Sequence, residues 1–110
     1  MKILRALAAL PVSALLLLAA APDPGPVVHM TNFAFQPQTL TVHTGDTVTF
    51  INDDEEPHTV TATDKSFDSA GMDTHGTWKH AFAKVGTYTY FCELHPYMKG
   101  KIVVTDGAAR

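Results

Sequence analysis

The chain is poor in the residues on which several other kinds of protein depend. It has one cysteine, so no disulfide can form within it, although small exported domains often rely on paired cysteines. A single thiol in such a chain is either reactive or committed to a ligand. Positive charge is also scarce: 8 Lys and Arg stand against 11 Asp and Glu, a formal net charge of −3. That excludes the basic face of a nucleic-acid binder. Beyond its first 21 residues the chain has no stretch of sustained helical spacing, no internal repeat and no low-complexity tract.

What is present begins with a leader. Lys2 and Arg5 give a positive start, residues 7–18 are almost wholly apolar, and Ala19, Ala20 and Ala21 are the small residues a signal peptidase needs. Residues 1–21 therefore read as a cleaved secretory signal. The alternative is a retained membrane anchor, but a span needs about 20 apolar residues and Pro11 interrupts this shorter run. Cleavage leaves about 89 residues, enough for one domain with one modest core and no membrane span. Residues 22–26 (PDPGP) form a stiff linker, residues 27–105 the domain, and residues 106–110 a tail. The expected destination is the periplasm.

The domain alternates with a period of two. Leu40 and Val42 alternate with threonines, as do Val48 and Phe50, while Trp78, His80 and Phe82 share one face of a later run. Turn signals at Gly45-Asp46, Asp53-Asp54, Ser69-Ala70-Gly71, Gly86 and Gly100 separate these runs. The pattern predicts about seven strands, at residues 28–35, 39–42, 47–52, 59–63, 77–82, 87–91 and 101–105. The expected fold is an all-β sandwich, with residues 64–76 as a polar loop carrying isolated Phe67 and Met72.

The chemistry concentrates in Cys92-Glu93-Leu94-His95-Pro96-Tyr97-Met98, which spaces a thiolate, an imidazole and a thioether three residues apart. Zinc accepts the first two but gains little from a thioether, whereas reduced copper binds both sulfur types well. Two histidines, a cysteine and a weak axial methionine form the trigonal arrangement of electron-transfer copper. Pro57-His58-Thr59 supplies the second histidine, at the start of a strand that a sandwich can place beside the strand ending at Cys92. The candidate ligands are thus His58, Cys92, His95 and Met98. His29, His43, His75 and His80 lack partners at ligand spacing and read as surface or strand-face residues, and Met72 reads as packing or docking.

Several motifs together resemble a blue-copper cupredoxin of the amicyanin and plastocyanin group. They are Gly45-Asp46-Thr47-Val48-Thr49-Phe50 followed by Asn52, then Pro57-His58, Gly86-Thr87-Tyr88, and Cys92-x-x-His95-Pro96-x-Met98-x-Gly100. The two-residue gap before Met98 is similar to that of amicyanin. The resemblance implies a Greek-key sandwich, one copper ion cycling between Cu(I) and Cu(II), and single-electron transfer without enzymatic turnover. Asn52 and Thr59 would support the ligands, Thr59 standing where the family usually has asparagine. The linker is also too short to supply the extra N-terminal segment of amicyanins.

The resemblance further implies that electrons leave through His95, inside an apolar patch formed here by Pro57, Pro96 and Tyr97. The acidic run Asp53, Asp54, Glu55 and Glu56 lies beside it, where clustered charge would steer a basic partner. A monomer exchanging electrons with redox proteins, among them a basic c-type cytochrome, is the expected behaviour. The rival is an envelope protein that stores or delivers copper through the same ligands.

Overall fold

A computed structural model describes residues 25–107. The segment expected as a signal (1–21), residues 22–24 of the expected linker and residues 108–110 of the expected tail lie outside the described residues. Eight strands follow in order: β1 (Val27–Met30), β2 (Phe35–Gln36), β3 (Thr39–His43), β4 (Thr47–Asn52), β5 (Thr61–Ala62), β6 (Thr77–Ala81), β7 (Gly86–Cys92) and β8 (His95–Thr105). They form two four-stranded sheets, β2-β1-β4-β6 and β3-β8-β7-β5. Both sheets are mixed, with β1 parallel to β4 and β3 parallel to β8. The all-β sandwich expected from the alternation is the fold, and no helix occurs among the described residues.

Alternation sets what faces the interior. β4 buries Val48, Phe50 and Asn52 in turn, and β8 buries Met98, Gly100, Ile102 and Val104. Tyr90 of β7 lies at the centre, edge-on to Phe35 at 4.8 Å and to Phe50 at 5.6 Å between ring centroids, the T-shaped geometry that aromatic quadrupoles favour. Its hydroxyl is buried with no hydrogen-bond partner among the described residues, and burial pushes its pKa well above the ordinary phenol value. At the other end Tyr88 donates to the Lys84 carbonyl at 2.6 Å, tying the turn before β7 to its own strand.

Three elements differ from the sequence reading by more than one residue. The expected first strand is two, because the chain reverses at residues 31–34, where Thr31 and Ala34 exchange backbone hydrogen bonds at 2.9 and 3.1 Å. β5 covers only two residues of the strand expected at 59–63, since His58 pairs instead with Met72 as an isolated bridge. β8 begins six residues early, at His95, so the ligand loop is part of a hairpin. Residues 64–76 are less open than a polar loop, for Phe67 and Met72 both enter the core.

Tyr90 faces Gly100 across the β7–β8 pair, and a Cβ built at Gly100 would meet its ring at 2.6 Å. Both are interior, with little room to separate. Gly100→Ala is therefore expected to lose about 1–3 kcal/mol through overpacking, seen as a lower urea midpoint with an unchanged slope.

Candidate metal centre

The hairpin of β7 and β8 delivers two candidate ligands at once. A register shift between Phe91 and Cys92 closes the ladder so that Cys92 pairs with His95 across the two-residue turn Glu93-Leu94. His58 comes from the far side, held by its own backbone: its N–H donates to the Met72 carbonyl at 3.1 Å, and its carbonyl accepts from Met72 at 2.8 Å. Asn52, fully buried, shapes the acidic turn before it. Its amide donates to the carbonyls of Glu56 and Met72, both at 2.9 Å, and its oxygen accepts the Asp54 N–H at 2.9 Å.

His58, Cys92 and His95 converge. Cys92 Sγ lies 3.8 Å from His58 Nδ1 and 3.6 Å from His95 Nδ1, and the two nitrogens are 3.2 Å apart. Cys92 and His58 are fully buried, His95 partly. Met98, three residues past His95, is buried as part of the core beneath the loop. Met72 is a packing residue and the backbone partner of His58. His80 also has a structural setting: it stacks on Trp78 at 5.2 Å, and burial lowers its pKa.

Thr59 joins the two halves of the site. Its N–H donates to Cys92 Sγ at 3.3 Å, and its hydroxyl accepts the Glu93 N–H at 2.8 Å. Thr61 donates its hydroxyl proton to Asp68 at 3.3 Å, so the 2.9 Å contact between the two threonines runs from Thr59 to Thr61. Each hydroxyl in this chain both donates and accepts.

Asp54, grouped with the docking charges on sequence grounds, is turned inward. Its carboxylate accepts the N–H of Asn32 at 2.7 Å, the N–H of Phe33 at 2.8 Å and His58 Nε2 at 2.8 Å, and its side chain is only 12% exposed. Burial opposes its ionisation, yet these donors together hold its carboxyl below the ordinary carboxylate value. Asp53 is engaged as well, with His29 Nδ1 at 2.7 Å and Thr31 Oγ1 at 3.2 Å. Glu55, Glu56, Pro57 and Pro96 are exposed.

Sequence reasoning missed Phe33. Its ring stands edge-on to both imidazoles, 5.3 Å from His58 and 5.0 Å from His95. With Leu94 and Tyr97 it adds exposed apolar surface around the His95 end of the site. Nothing in its spacing marks it, since it lies in the reversal between β1 and β2.

The donor set fits copper: a thiol sulfur and two imidazole nitrogens within 4.8 Å of one another, with a buried thioether on the same short loop and no carboxylate among them. A family model described as a cupredoxin-like domain matches residues 4–104, and the chain belongs to the cupredoxin-like family. It is 34% identical over 83 residues to amicyanin from Paracoccus denitrificans, across 71% of this chain and 63% of that protein, so it spans less than two thirds of that relative. It is 33% identical over 104 residues to amicyanin-alpha from Methylorubrum extorquens, across 90% of this chain and 87% of that one. Among solved structures, a copper(I) form of an amicyanin variant superposes with a TM-score of 0.71 at 32% identity, over 77% of this chain and 86% of that one. A reduced form of another amicyanin variant gives 0.72 over the same shares, also at 32% identity. Within the family this chain falls in the amicyanin group of blue-copper cupredoxins.

The bond from Glu93 to Thr59 is testable by itself. Thr59→Val keeps the N–H that faces Cys92 but leaves the part-buried Glu93 N–H without its acceptor, an expected loss of about 1–3 kcal/mol in the metal-free protein. Thr59→Ser should lose less, as thermal or urea unfolding of the two variants will show.

Proposed function

We propose that this protein is a periplasmic single-electron carrier that holds one copper ion through His58, Cys92, His95 and Met98. The observation that carries the reading is the convergence of Cys92 Sγ with the Nδ1 atoms of His58 and His95. Copper bound there supplies one-electron exchange between Cu(I) and Cu(II). The residues supply a setting that changes little with charge. His58 is fixed through its backbone to Met72, Cys92 and His95 are paired in one hairpin, and Thr59 ties the cysteine loop to the histidine strand.

Filling the positions from the protein leaves none for water or substrate, which supports a carrier over an enzyme. The partly exposed His95, ringed by Phe33, Leu94, Pro96 and Tyr97, is the route between site and partner. The leader at residues 1–21 supports export. The test is the visible spectrum of the copper-loaded protein. Intense blue absorption from thiolate-to-copper charge transfer is expected, and Cys92→Ser should abolish it while the sandwich remains folded. A colourless wild type, or a blue Cys92→Ser, would overturn the assignment.

The partner is a redox protein with a basic docking face, such as a c-type cytochrome. Asp54 is turned inward and Asp53, though exposed, is bonded to His29 and Thr31, so Glu55 and Glu56 are the exposed carboxylates of this run without a partner among the described residues. Electron transfer to a basic cytochrome should slow as salt rises, since screening acts over about 8 Å at physiological ionic strength. A variant with Glu55 and Glu56 both changed to Gln should flatten that dependence. Identical salt curves for the two proteins would remove these residues from docking.

A further inference from the structure

We propose that Asp54 is a positioning residue whose one carboxylate sets the tautomer of His58 and holds Phe33 against both imidazoles. The inference rests on the reading of His58 as a ligand and names what holds that ligand ready.

Asp54 is fixed before its side chain does anything. Its N–H donates to Asn52 Oδ1 at 2.9 Å, and its carbonyl accepts the Thr74 hydroxyl. The side chain is thereby aimed at residues 32 and 33 and at His58. Asn32 and Phe33 both lie in the left-handed region, with φ of 55° and 58°, a conformation that residues with a Cβ adopt rarely. Two successive N–H groups so arranged form a small anion-binding concavity, and here the anion is part of the chain. The carboxylate thus offsets the conformation that carries Phe33 over His58 and His95.

The same carboxylate acts on His58. Both carboxylate oxygens already accept backbone N–H groups, from Asn32 at 2.7 Å and Phe33 at 2.8 Å, so the group is an acceptor and the hydrogen between it and His58 resides on Nε2. The other nitrogen, Nδ1, then presents a lone pair toward Cys92 and His95. Without this acceptor the proton could occupy Nδ1 and point into the site. A carboxylate on the distal nitrogen also makes an imidazole a stronger donor to a metal, which favours the higher oxidation state. Asparagine cannot substitute, because whichever way its amide is turned the NH2 faces a backbone N–H of Asn32 or Phe33 and one acceptor is lost.

The experiment combines nitrogen-15 NMR of the histidine rings in the metal-free protein with reduction potentials of the copper-loaded one. Wild type, Asp54→Asn and Asp54→Ala are compared with Asp64→Asn, which removes the same charge from an exposed carboxylate elsewhere. The expected result is an Nε2–H tautomer of His58 in the wild type and in Asp64→Asn. In the Asp54 variants that preference should be lost, along with cross-relaxation from Phe33 to both imidazoles. Their copper affinity should fall by about 10–100-fold, and their potential should rise above that of Asp64→Asn.

An Nδ1–H tautomer in the wild type overturns the proposal even if neither Asp54 variant folds. Unchanged tautomer and Phe33 contacts in the Asp54 variants also overturn it, as does a potential equal to that of Asp64→Asn. The tautomer is read without copper. A colourless wild-type protein would therefore defeat the electron-carrier reading while leaving the carboxylate's effect on His58 separately decided.

Discussion

The register between β7 and β8 is the constraint on which the rest depends. A side chain on a strand faces one side or the other with a period of two, so a slip of one residue would turn Met98, Ile102 and Val104 out of the core. The slip is opposed by the tight fit of Tyr90 over Gly100, because no other residue of β8 leaves space for that ring. Two residues on, the same ladder ends in the pairing of Cys92 with His95. Core packing and site geometry are consequences of one alignment.

The second half of the site is attached by polar bonds that link segments distant in sequence. Asn52 shapes the turn, Met72 holds the His58 backbone, and the chain from Glu93 through Thr59 and Thr61 to Asp68 crosses from the ligand hairpin to the loop after β5. Buried polar groups are costly unless paired, so each of these residues is useful only where its partners are. Such mutual dependence makes the arrangement rigid: to move His58, several satisfied bonds must break together.

The alternation of β3, β4 and β6 was legible because one face of each strand is apolar, and the turns were legible because glycine and aspartate mark them. Cys92, His95 and Met98 stand out for a different reason, since thiolate, imidazole and thioether at loop spacing have few other uses, whereas His58 is distant in sequence and joins them only through the sandwich. Less legible were the features made by contacts between segments. Nothing local to residues 31–34 signals that the chain reverses there, and the strand pattern at 59–63 is overridden when His58 pairs with Met72. Asp54 looked like its neighbours in the acidic run, and only folding brings it against the two N–H groups and the ring nitrogen that turn it inward. Phe33 was illegible for the same reason, its place over the imidazoles being set by that carboxylate.

The complete burial of Cys92 bears on how the apoprotein survives. A solitary thiol at the surface would cross-link molecules in pairs or climb the oxidation ladder to sulfenic and sulfinic acids. Here the sulfur is fully buried against the Thr59 N–H and two imidazoles, so an oxidant must wait for the hairpin tip to open. Shelf life without metal is then governed by the frequency of that local opening, and amide exchange at Glu93 measures the same event as the rate at which covalent dimers accumulate in air.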